Sequence, residues 1–214
     1  MQKSVTFLVL LLITNLAQAQ LLSKQELKKV KAFVSLKTAL KRPDKVIKLE
    51  LWSANLKEVP QEVFKFRNLQ VLNLNFNQIK SLPSQLTQLK YLQEIRLGHN
   101  QLSTYPKGLD KLRYLRILDL HGNQLKSIPA AIGRLKNLEE LYLHENQLTV
   151  VHTNWQHLKN LRFVNLAENQ LNDLPISTNH QLKQLKMLIL VENKIDKEKQ
   201  VKLKKLLKRV EVRF

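Results

Sequence analysis

Apolar residues recur through most of this chain with a period of 23 residues. The copy that runs from Leu115 to Leu125 is apolar at its first, fourth, sixth and eleventh positions. Because Leu118 and Leu120 are two residues apart, they point to one face of a short strand, which we expect to be buried. About a dozen residues lead from each strand to the next, so the strands are predicted to be parallel. Seven copies start at Val46, Leu69, Leu92, Leu115, Leu138, Leu161 and Leu185.

An asparagine stands at the ninth position of six copies, whereas the first copy has Ala54 there. The chain turns inward behind each strand at this point, where no strand satisfies the backbone N–H and C=O groups. An amide side chain both donates and accepts hydrogen bonds, so we expect it to satisfy these groups. This structural role is favoured over a ladder of ligand-binding amides. The asparagine row consists of Asn77, Asn100, Asn123, Asn146, Asn169 and Asn193.

These positions form the template L-x-x-L-x-L-x-x-N-x-L, followed by a tail in which proline recurs at one position. That place is filled by Pro60, Pro83, Pro106, Pro129 and Pro175. Residues 46–195 therefore resemble the leucine-rich-repeat family in its 23-residue form. The resemblance implies an α/β fold, a right-handed solenoid of seven repeats. Its parallel β-sheet is expected on the concave face, with short turns or 3₁₀ segments behind.

The back of the solenoid is expected to be least regular in the fifth and sixth repeats. The fifth repeat has His152 in place of the proline and Trp155 in place of a leucine. We assign Trp155 to the core rather than to a ligand site. The sixth repeat carries one extra residue near positions 177–179.

Residues 20–45 are predicted to form a helical N-terminal cap that covers one open end of the solenoid. Ser23 and Glu26 have the spacing of a capping box, and Pro43 is expected to end the helix. The apolar residues at helical spacing are Leu27, Val30, Phe33 and Val34. The sequence thus predicts one helix over most of this segment.

Residues 196–214 are predicted to form the C-terminal cap. Asp196 can begin a helix, whose apolar residues are Val201, Leu203, Leu206 and Leu207. Residues 210–214 then alternate between apolar and charged, which is typical of a strand. A helix followed by a closing strand is therefore expected at this end.

Residues 1–19 have the pattern of a secretory signal peptide. Lys3 supplies the positive charge, residues 7–13 the apolar segment, and Ala17 to Ala19 an A-x-A cleavage site. A membrane anchor is the alternative, but the apolar segment is short for about 30 Å of hydrocarbon. The chain has no cysteine, which removes disulfides and a lipidated cysteine. We expect cleavage after Ala19 and export to the periplasm, the envelope or the medium.

No catalytic or nucleotide-binding motif is present in the sequence. His144 and Glu145 begin like a zinc-protease motif, but Leu148 stands where its second histidine should be. We therefore expect no enzyme activity, cofactor or metal. His121 and His144 occupy the same place in adjacent repeats, so a metal site or a pH-sensitive pair is a weaker hypothesis. Solvated surface histidines are the favoured interpretation.

The exposed face of the predicted sheet is acidic, although the chain carries 36 Lys and Arg against 17 Asp and Glu. Its side chains fall at repeat positions 3, 5, 7 and 8, which hold seven acids and two bases, a net charge of −5. Phosphates would meet carboxylates there, so nucleic acid is excluded as a partner of this face. The candidate binding residues are Trp52, Phe76, Arg96, His99, Asp119, His121, Tyr142, His144 and Phe163.

This mixed aromatic and acidic surface suits a protein or peptide partner, preferably a basic one. The leading hypothesis is a monomeric, non-catalytic protein-binding scaffold that uses the concave strand face. The alternative is a structural envelope component that adheres to polyanions, such as anionic lipid or polysaccharide. The basic residues for this are expected in residues 20–45 and residues 194–214, each with a net charge of +6, and on the turns and convex side, with about +11. High salt should weaken binding to a polyanion more than it weakens a protein contact anchored by aromatic residues.

Overall fold

The structure, a computed structural model, describes residues 20–152, 157–174, 176 and 182–214. The predicted signal peptide (residues 1–19), Trp155, Pro175 and the extra residue near 177–179 lie outside the described residues. The chain divides into two compact units, one up to Val30 and one from Lys31 to Phe214. No helix among the described residues is long and apolar enough to cross a membrane.

The described part of the first unit contains one short helix, α1 (Lys24–Lys29). Ser23 caps it: the Ser23 Oγ accepts from the Glu26 backbone N at 3.3 Å. The Glu26 carboxylate accepts in turn from the Ser23 backbone N at 2.7 Å. The predicted capping box is therefore confirmed.

The prediction of one long helix is wrong, because α1 ends at Val30, whose backbone is extended. In the second unit, Phe33 forms a bridge to the first strand of the sheet. Its N donates to the Lys48 carbonyl at 2.9 Å, and its carbonyl accepts from the Glu50 N at 2.8 Å. These bonds satisfy backbone groups on the open edge of the first strand. The helical spacing of apolar residues gives no sign of this pairing. Val34, assigned to the apolar face, is 69% exposed.

Two short helical segments follow Phe33 before the repeats begin. Helix α2 (Leu36–Ala39) has four residues, and a 3₁₀ turn covers Pro43–Lys45. Ala39 is fully buried in the core, and Leu36 packs against it. Phe33 also packs against this core, so the segment from Phe33 covers part of it without continuous helix.

Eight parallel strands form the main sheet, as expected for seven repeats and one closing strand. In spatial order they are β1 (Lys48–Glu50), β2 (Val71–Asn73), β3 (Glu94–Arg96), β4 (Ile117–Asp119), β6 (Glu140–Tyr142), β8 (Phe163–Asn165), β9 (Met187–Ile189) and β10 (Glu211–Arg213). The register advances by one period, so that Leu72 lies beside Leu49 and Ile95 beside Leu72. Each strand therefore presents equivalent repeat positions to its neighbour.

The C-terminal helix and strand are confirmed. Helix α3 (Lys197–Leu206) begins at Asp196, whose carboxylate accepts from the Lys199 backbone N at 2.9 Å. Strand β10 pairs with β9 in parallel, with Val212 beside Leu188. The chain thus adds one further strand to the sheet after the last repeat.

The apolar positions of the template are buried in a single hydrophobic core within the second unit. Behind the sheet lie the predicted 3₁₀ segments, which cover Gln61–Lys65, Ser84–Gln88, Leu109–Lys111 and Ala130–Arg134. A second sheet, of two parallel strands, was not predicted: β5 (Ser127–Ile128) and β7 (Val150–Val151). His152 extends this pairing, because its N donates to the Ile128 carbonyl at 2.9 Å. A proline at that place has no N–H to donate.

The asparagine row has the structural role that the sequence predicts. The Asn123 Oδ1 accepts from the Leu102 backbone N at 2.9 Å. Its Nδ2 lies 2.9 Å from the Leu97 carbonyl, 3.1 Å from that of Leu120 and 3.0 Å from that of His121. The other members make the equivalent bonds. Each amide therefore joins the inner turn of its own repeat to the repeat before it.

Candidate functional site

The candidate site occupies the side of the sheet opposite the core. Positions 3 and 5 of each repeat come from the strand, and positions 7 and 8 from the turn that follows it. Position 8 has a left-handed backbone in every repeat, with φ between 50° and 59°. The residues are Ser53, Phe76, His99, Gly122, Glu145, Glu168 and Glu192. Phe76 is unusual there, because bulky side chains rarely adopt this conformation, and it is 54% exposed.

Six of the nine candidate residues form one continuous line of aromatic rings, which we call the ring row. In order these residues are Phe76, His99, His121, His144, Tyr142 and Phe163. The centroids of Phe76 and His99 are 4.6 Å apart, and those of His99 and His121 are 4.5 Å apart. The rings of His121 and His144 are nearly parallel at 4.6 Å. The row thus runs from the second repeat to the sixth.

At the far end of the ring row, Tyr142 contacts rings on both sides. Its centroid lies 6.5 Å from that of His144 and 5.1 Å from that of Phe163. The Tyr142 hydroxyl donates to the Glu140 carboxylate at 2.9 Å. Burial, followed by this bond, raises the pKa of Tyr142 to about 12. The hydroxyl therefore stays protonated at physiological pH and keeps the ring oriented.

Two glycines make room for the imidazoles. A Cβ atom on Gly98 would lie 2.2 Å from the His121 Cε1, and one on Gly122 would lie 2.5 Å from the His99 Nδ1. The order Gly98–His99 in one repeat is reversed as His121–Gly122 in the next. Each imidazole therefore lies over the glycine of the adjacent repeat. This reversed dipeptide is a signal that the sequence interpretation missed.

His121 is held by Asp119, two residues before it. The His121 Nδ1 lies 2.6 Å from the Asp119 Oδ1, and Asp119 is only 5% exposed. This hydrogen bond raises the pKa of His121 above its ordinary value, although burial of the ring opposes the rise. Asp119 was expected to be an exposed contact residue. The structure instead buries it beneath the ring that it holds.

His144 has the opposite electrostatic character. Burial is the main cause that lowers its pKa, and the adjacent His121 adds to the effect. The His144 Nδ1 is buried and has no hydrogen-bond partner among the described residues. Its Nε2 lies 3.8 Å from the Glu145 carboxylate. The pKa values of two stacked histidines in equivalent repeat positions are therefore shifted in opposite directions.

The remaining candidates, Trp52 and Arg96, lie on the same side of the sheet but are not part of the ring row. Trp52 belongs to the first repeat and is 56% exposed. Arg96 pairs with Glu94 at 3.3 Å. In the described part of the chain, no group of three or more His, Asp or Glu side chains could hold a metal ion.

Sequence reasoning also missed a buried polar ladder at position 2, next to the face. Gln70 and Gln93 are almost fully buried, and the Gln93 amide donates to the Gln70 side-chain carbonyl at 2.8 Å. Arg116 continues the ladder, since its Nε donates to the Glu139 carboxylate at 2.8 Å. Position 2 changes residue type between repeats, so no column of identical residues revealed the ladder.

Comparison with known proteins decides the family. The model of the leucine rich repeat family matches residues 45–102, 113–171 and 136–195, which together exceed half of the chain. The chain belongs to the leucine-rich-repeat family. No match was found among curated protein sequences.

Solved leucine-rich-repeat structures share the fold. One is the ectodomain of the plant membrane receptor kinase GASSHO1/SCHENGEN3 from Arabidopsis thaliana, in complex with CASPARIAN STRIP INTEGRITY FACTOR 2. It is 29% identical, with a TM-score of 0.62, and the match covers 77% of this chain and 20% of that one. A TDR receptor is 23% identical, with a TM-score of 0.63, and coverages of 83% and 31%.

A bacterial structure is also similar: an internalin (inlF) from Listeria monocytogenes str. 4b F2365. It is 23% identical, with a TM-score of 0.56, and the match covers 67% of this chain and 41% of that one. The chain thus spans between a fifth and two fifths of the length of these three structures. The two structures at 23% identity support the fold alone.

Proposed function

We propose that this leucine-rich-repeat protein is a non-catalytic scaffold that binds a protein or peptide partner on the exposed face of its sheet. The observation that carries the proposal is the continuous ring row across five repeats. Leucine-rich-repeat domains are commonly protein-binding scaffolds without enzymatic activity. The GASSHO1/SCHENGEN3 ectodomain, for example, was solved in complex with CASPARIAN STRIP INTEGRITY FACTOR 2.

The ring row is ordered before any partner arrives. Asp119 holds His121, Glu140 holds Tyr142, and adjacent rings pack against each other. Because these rings are already held in place, their side chains lose little conformational entropy when a partner binds. Aromatic anchors surrounded by polar groups are the usual composition of a binding hot spot. The row therefore provides rigid contact area together with polar ring edges.

The charges beside the ring row favour a partner with basic groups. The two bases of the face are each paired with an acid of their own strand, Lys48 with Glu50 at 3.2 Å and Arg96 with Glu94. Three exposed acids follow at position 8 of successive repeats: Glu145, Glu168 and Glu192. A basic segment beside the rings would meet these carboxylates, whereas an anionic one would be repelled.

The proposal includes export, for which Ala17–Gln18–Ala19 supplies the cleavage site. The GASSHO1/SCHENGEN3 structure is an ectodomain of a membrane receptor kinase, which agrees with a role outside the cell. We also propose that the protein acts as a monomer. The mass of the exported form checks the cleavage, since the chain should begin at Gln20; a retained Met1 would contradict it.

A peptide-display selection on the purified protein tests the binding function. Recovered peptides should be rich in Lys, Arg and aromatic residues, and should bind the Tyr142→Ala and Phe163→Ala variants at least about tenfold more weakly. Tyr114→Ala is the matched control, because this tyrosine is 40% exposed but lies outside the face. It should bind like wild type. Peptides that bind all three variants equally would exclude the ring row as the site.

A further inference from the structure

The positive charge of the repeats is concentrated where the strands begin, along one side of the sheet. Residues 46–193 contain 18 Lys and Arg, and 12 of these fall in the six short stretches that precede strands. The same stretches contain one acid, Glu139, so their net charge is +11. The stretches are 65–70, 88–93, 111–116, 134–139, 157–162 and 181–186. The positive charge that the sequence places on the turns and convex side therefore lies mainly in the turns that precede the strands.

Within these stretches, the first residue of each two-residue turn is always basic and always exposed. We call these six residues the basic edge: Arg67, Lys90, Arg113, Lys136, Lys159 and Lys183. No member is in an ion pair with another residue that the structure describes. Their charges are therefore not neutralised within the described chain.

Contacts between neighbouring turns hold the basic edge in line. The Asn137 Nδ2 donates to the Arg113 carbonyl at 2.7 Å, and the Asn160 Nδ2 donates to the Lys136 carbonyl at 2.9 Å. The rings of Tyr91 and Tyr114, in two further turns, stack at 6.5 Å. Because strands lie about 4.8 Å apart, six turns present one positive charge per repeat over about 24 Å.

We infer that the basic edge binds a linear acidic polysaccharide that runs across the repeats. This surface is separate from the ring row, so the inference goes beyond the proposed protein-binding function. A polymer with one carboxylate or sulfate on each sugar can place its charges near successive lysines and arginines. Each such contact releases counterions, which makes the binding salt-dependent.

The narrowness of the basic edge favours a single chain over a broad anionic surface. The adjacent sheet face carries seven acids, of which Asp119 is buried, and two bases. A bilayer or a nucleic-acid duplex pressed against the edge would also approach this face and be repelled. A single flexible polysaccharide chain can follow the edge without contacting the acids. Single-stranded nucleic acid is also narrow, and the test must distinguish it.

The test measures binding of alginate oligosaccharides to the purified protein by calorimetry at low and high salt. The variant Lys90→Gln/Arg113→Gln/Lys136→Gln removes three charges from the centre of the basic edge. Lys202→Gln/Lys205→Gln/Lys208→Gln removes the same charge from exposed positions on and after α3. We expect the edge variant to bind at least about tenfold more weakly and with less salt dependence. The control should change affinity less than about twofold.

Three outcomes would overturn the inference. One is an equal loss in both triple variants, which would indicate attraction by net charge alone. Another is tighter binding of charge-matched oligothymidylate or of phosphatidylglycerol vesicles than of alginate. The third is no alginate binding at low salt. Thermal unfolding of each variant checks that it is folded. Phe163→Ala, which tests the proposed protein-binding function, should bind alginate like wild type.

Discussion

The asparagine row and the ring row lie within a few ångströms of each other yet obey different rules. The Asn123 Nδ2 donates to the carbonyl of His121, so the two rows share a backbone. Members of the asparagine row bond to main-chain atoms, which are the same in every repeat. Members of the ring row contact side chains of neighbouring repeats, which differ. The inner row therefore keeps asparagine in six of the seven repeats, whereas the outer row varies from repeat to repeat.

The largest expected effect comes from removing a member of the asparagine row. Asn123→Ala should lower the free energy of unfolding by about 1–3 kcal/mol, because one buried N–H and three carbonyls lose their partner. Urea unfolding measures this loss. Asn137→Ala is the control, since its exposed side chain makes one bond to a neighbouring turn, and it should lose about 0.5 kcal/mol. Equal losses would contradict the distinction between inner and outer positions.

A glycine beneath the ring row should matter almost as much. In Gly98→Ala the new Cβ would collide with the His121 ring, which Asp119 holds in place. We expect a loss of about 1–3 kcal/mol, typical of overpacking. A double-mutant cycle with His121→Ala isolates the collision, because the penalty should disappear when the ring is absent. A penalty that persists in that background would show that the imidazole is not the obstacle.

The two stacked histidines should have opposite effects on pH-dependent stability. The raised pKa of His121 contributes stability below the unfolded value of about 6.5, which is lost as the pH rises through the folded pKa. The lowered pKa of His144 instead costs stability as the pH falls below about 6.5. This cost should be absent in His144→Gln. When the pH is lowered from 8 to 5, the unfolding free energy of the variant should therefore rise relative to that of wild type. Urea unfolding at both values measures this, and a relative loss would contradict the assignment.

Nuclear magnetic resonance can separate the same two residues. The imidazole of His121 should titrate at a higher pH than that of His144. Asp119→Asn should lower the midpoint of His121, because the hydrogen bond to the carboxylate is the largest cause of its raised pKa. If the two midpoints coincide, or if that of His121 does not fall, Asp119 does not control this histidine.

Periodicity predicted the strands, the core and the asparagine row because these depend on contacts that repeat every 23 residues. It failed where a contact occurs only once. Phe33 leaves the predicted helix because it satisfies the open edge of β1, and His152 extends the small second sheet because it replaces a proline. Neither residue stands at a place that the same residue type fills in other repeats, so no column of the template reports its contact.

The candidate site was predictable only in part. Counting outward positions placed the aromatic and histidine side chains on one face, since alternation along a strand fixes direction. It could not show that six of them contact one another in a row, because side-chain rotamers are set by neighbours from other repeats. Gly98 and Gly122 shape that row through close approach to His121 and His99. Their role depends on distances between repeats, which a single repeat does not contain.

The most direct test of the central claim compares one residue from each row by titration calorimetry, using a peptide recovered by display. Phe163→Ala should weaken binding at least about tenfold while its unfolding free energy changes by less than about 1 kcal/mol. Asn123→Ala should show the reverse: a large stability loss, with affinity within about twofold of wild type while it remains folded. The claim is contradicted if Phe163→Ala binds like wild type, or if folded Asn123→Ala loses as much affinity as Phe163→Ala.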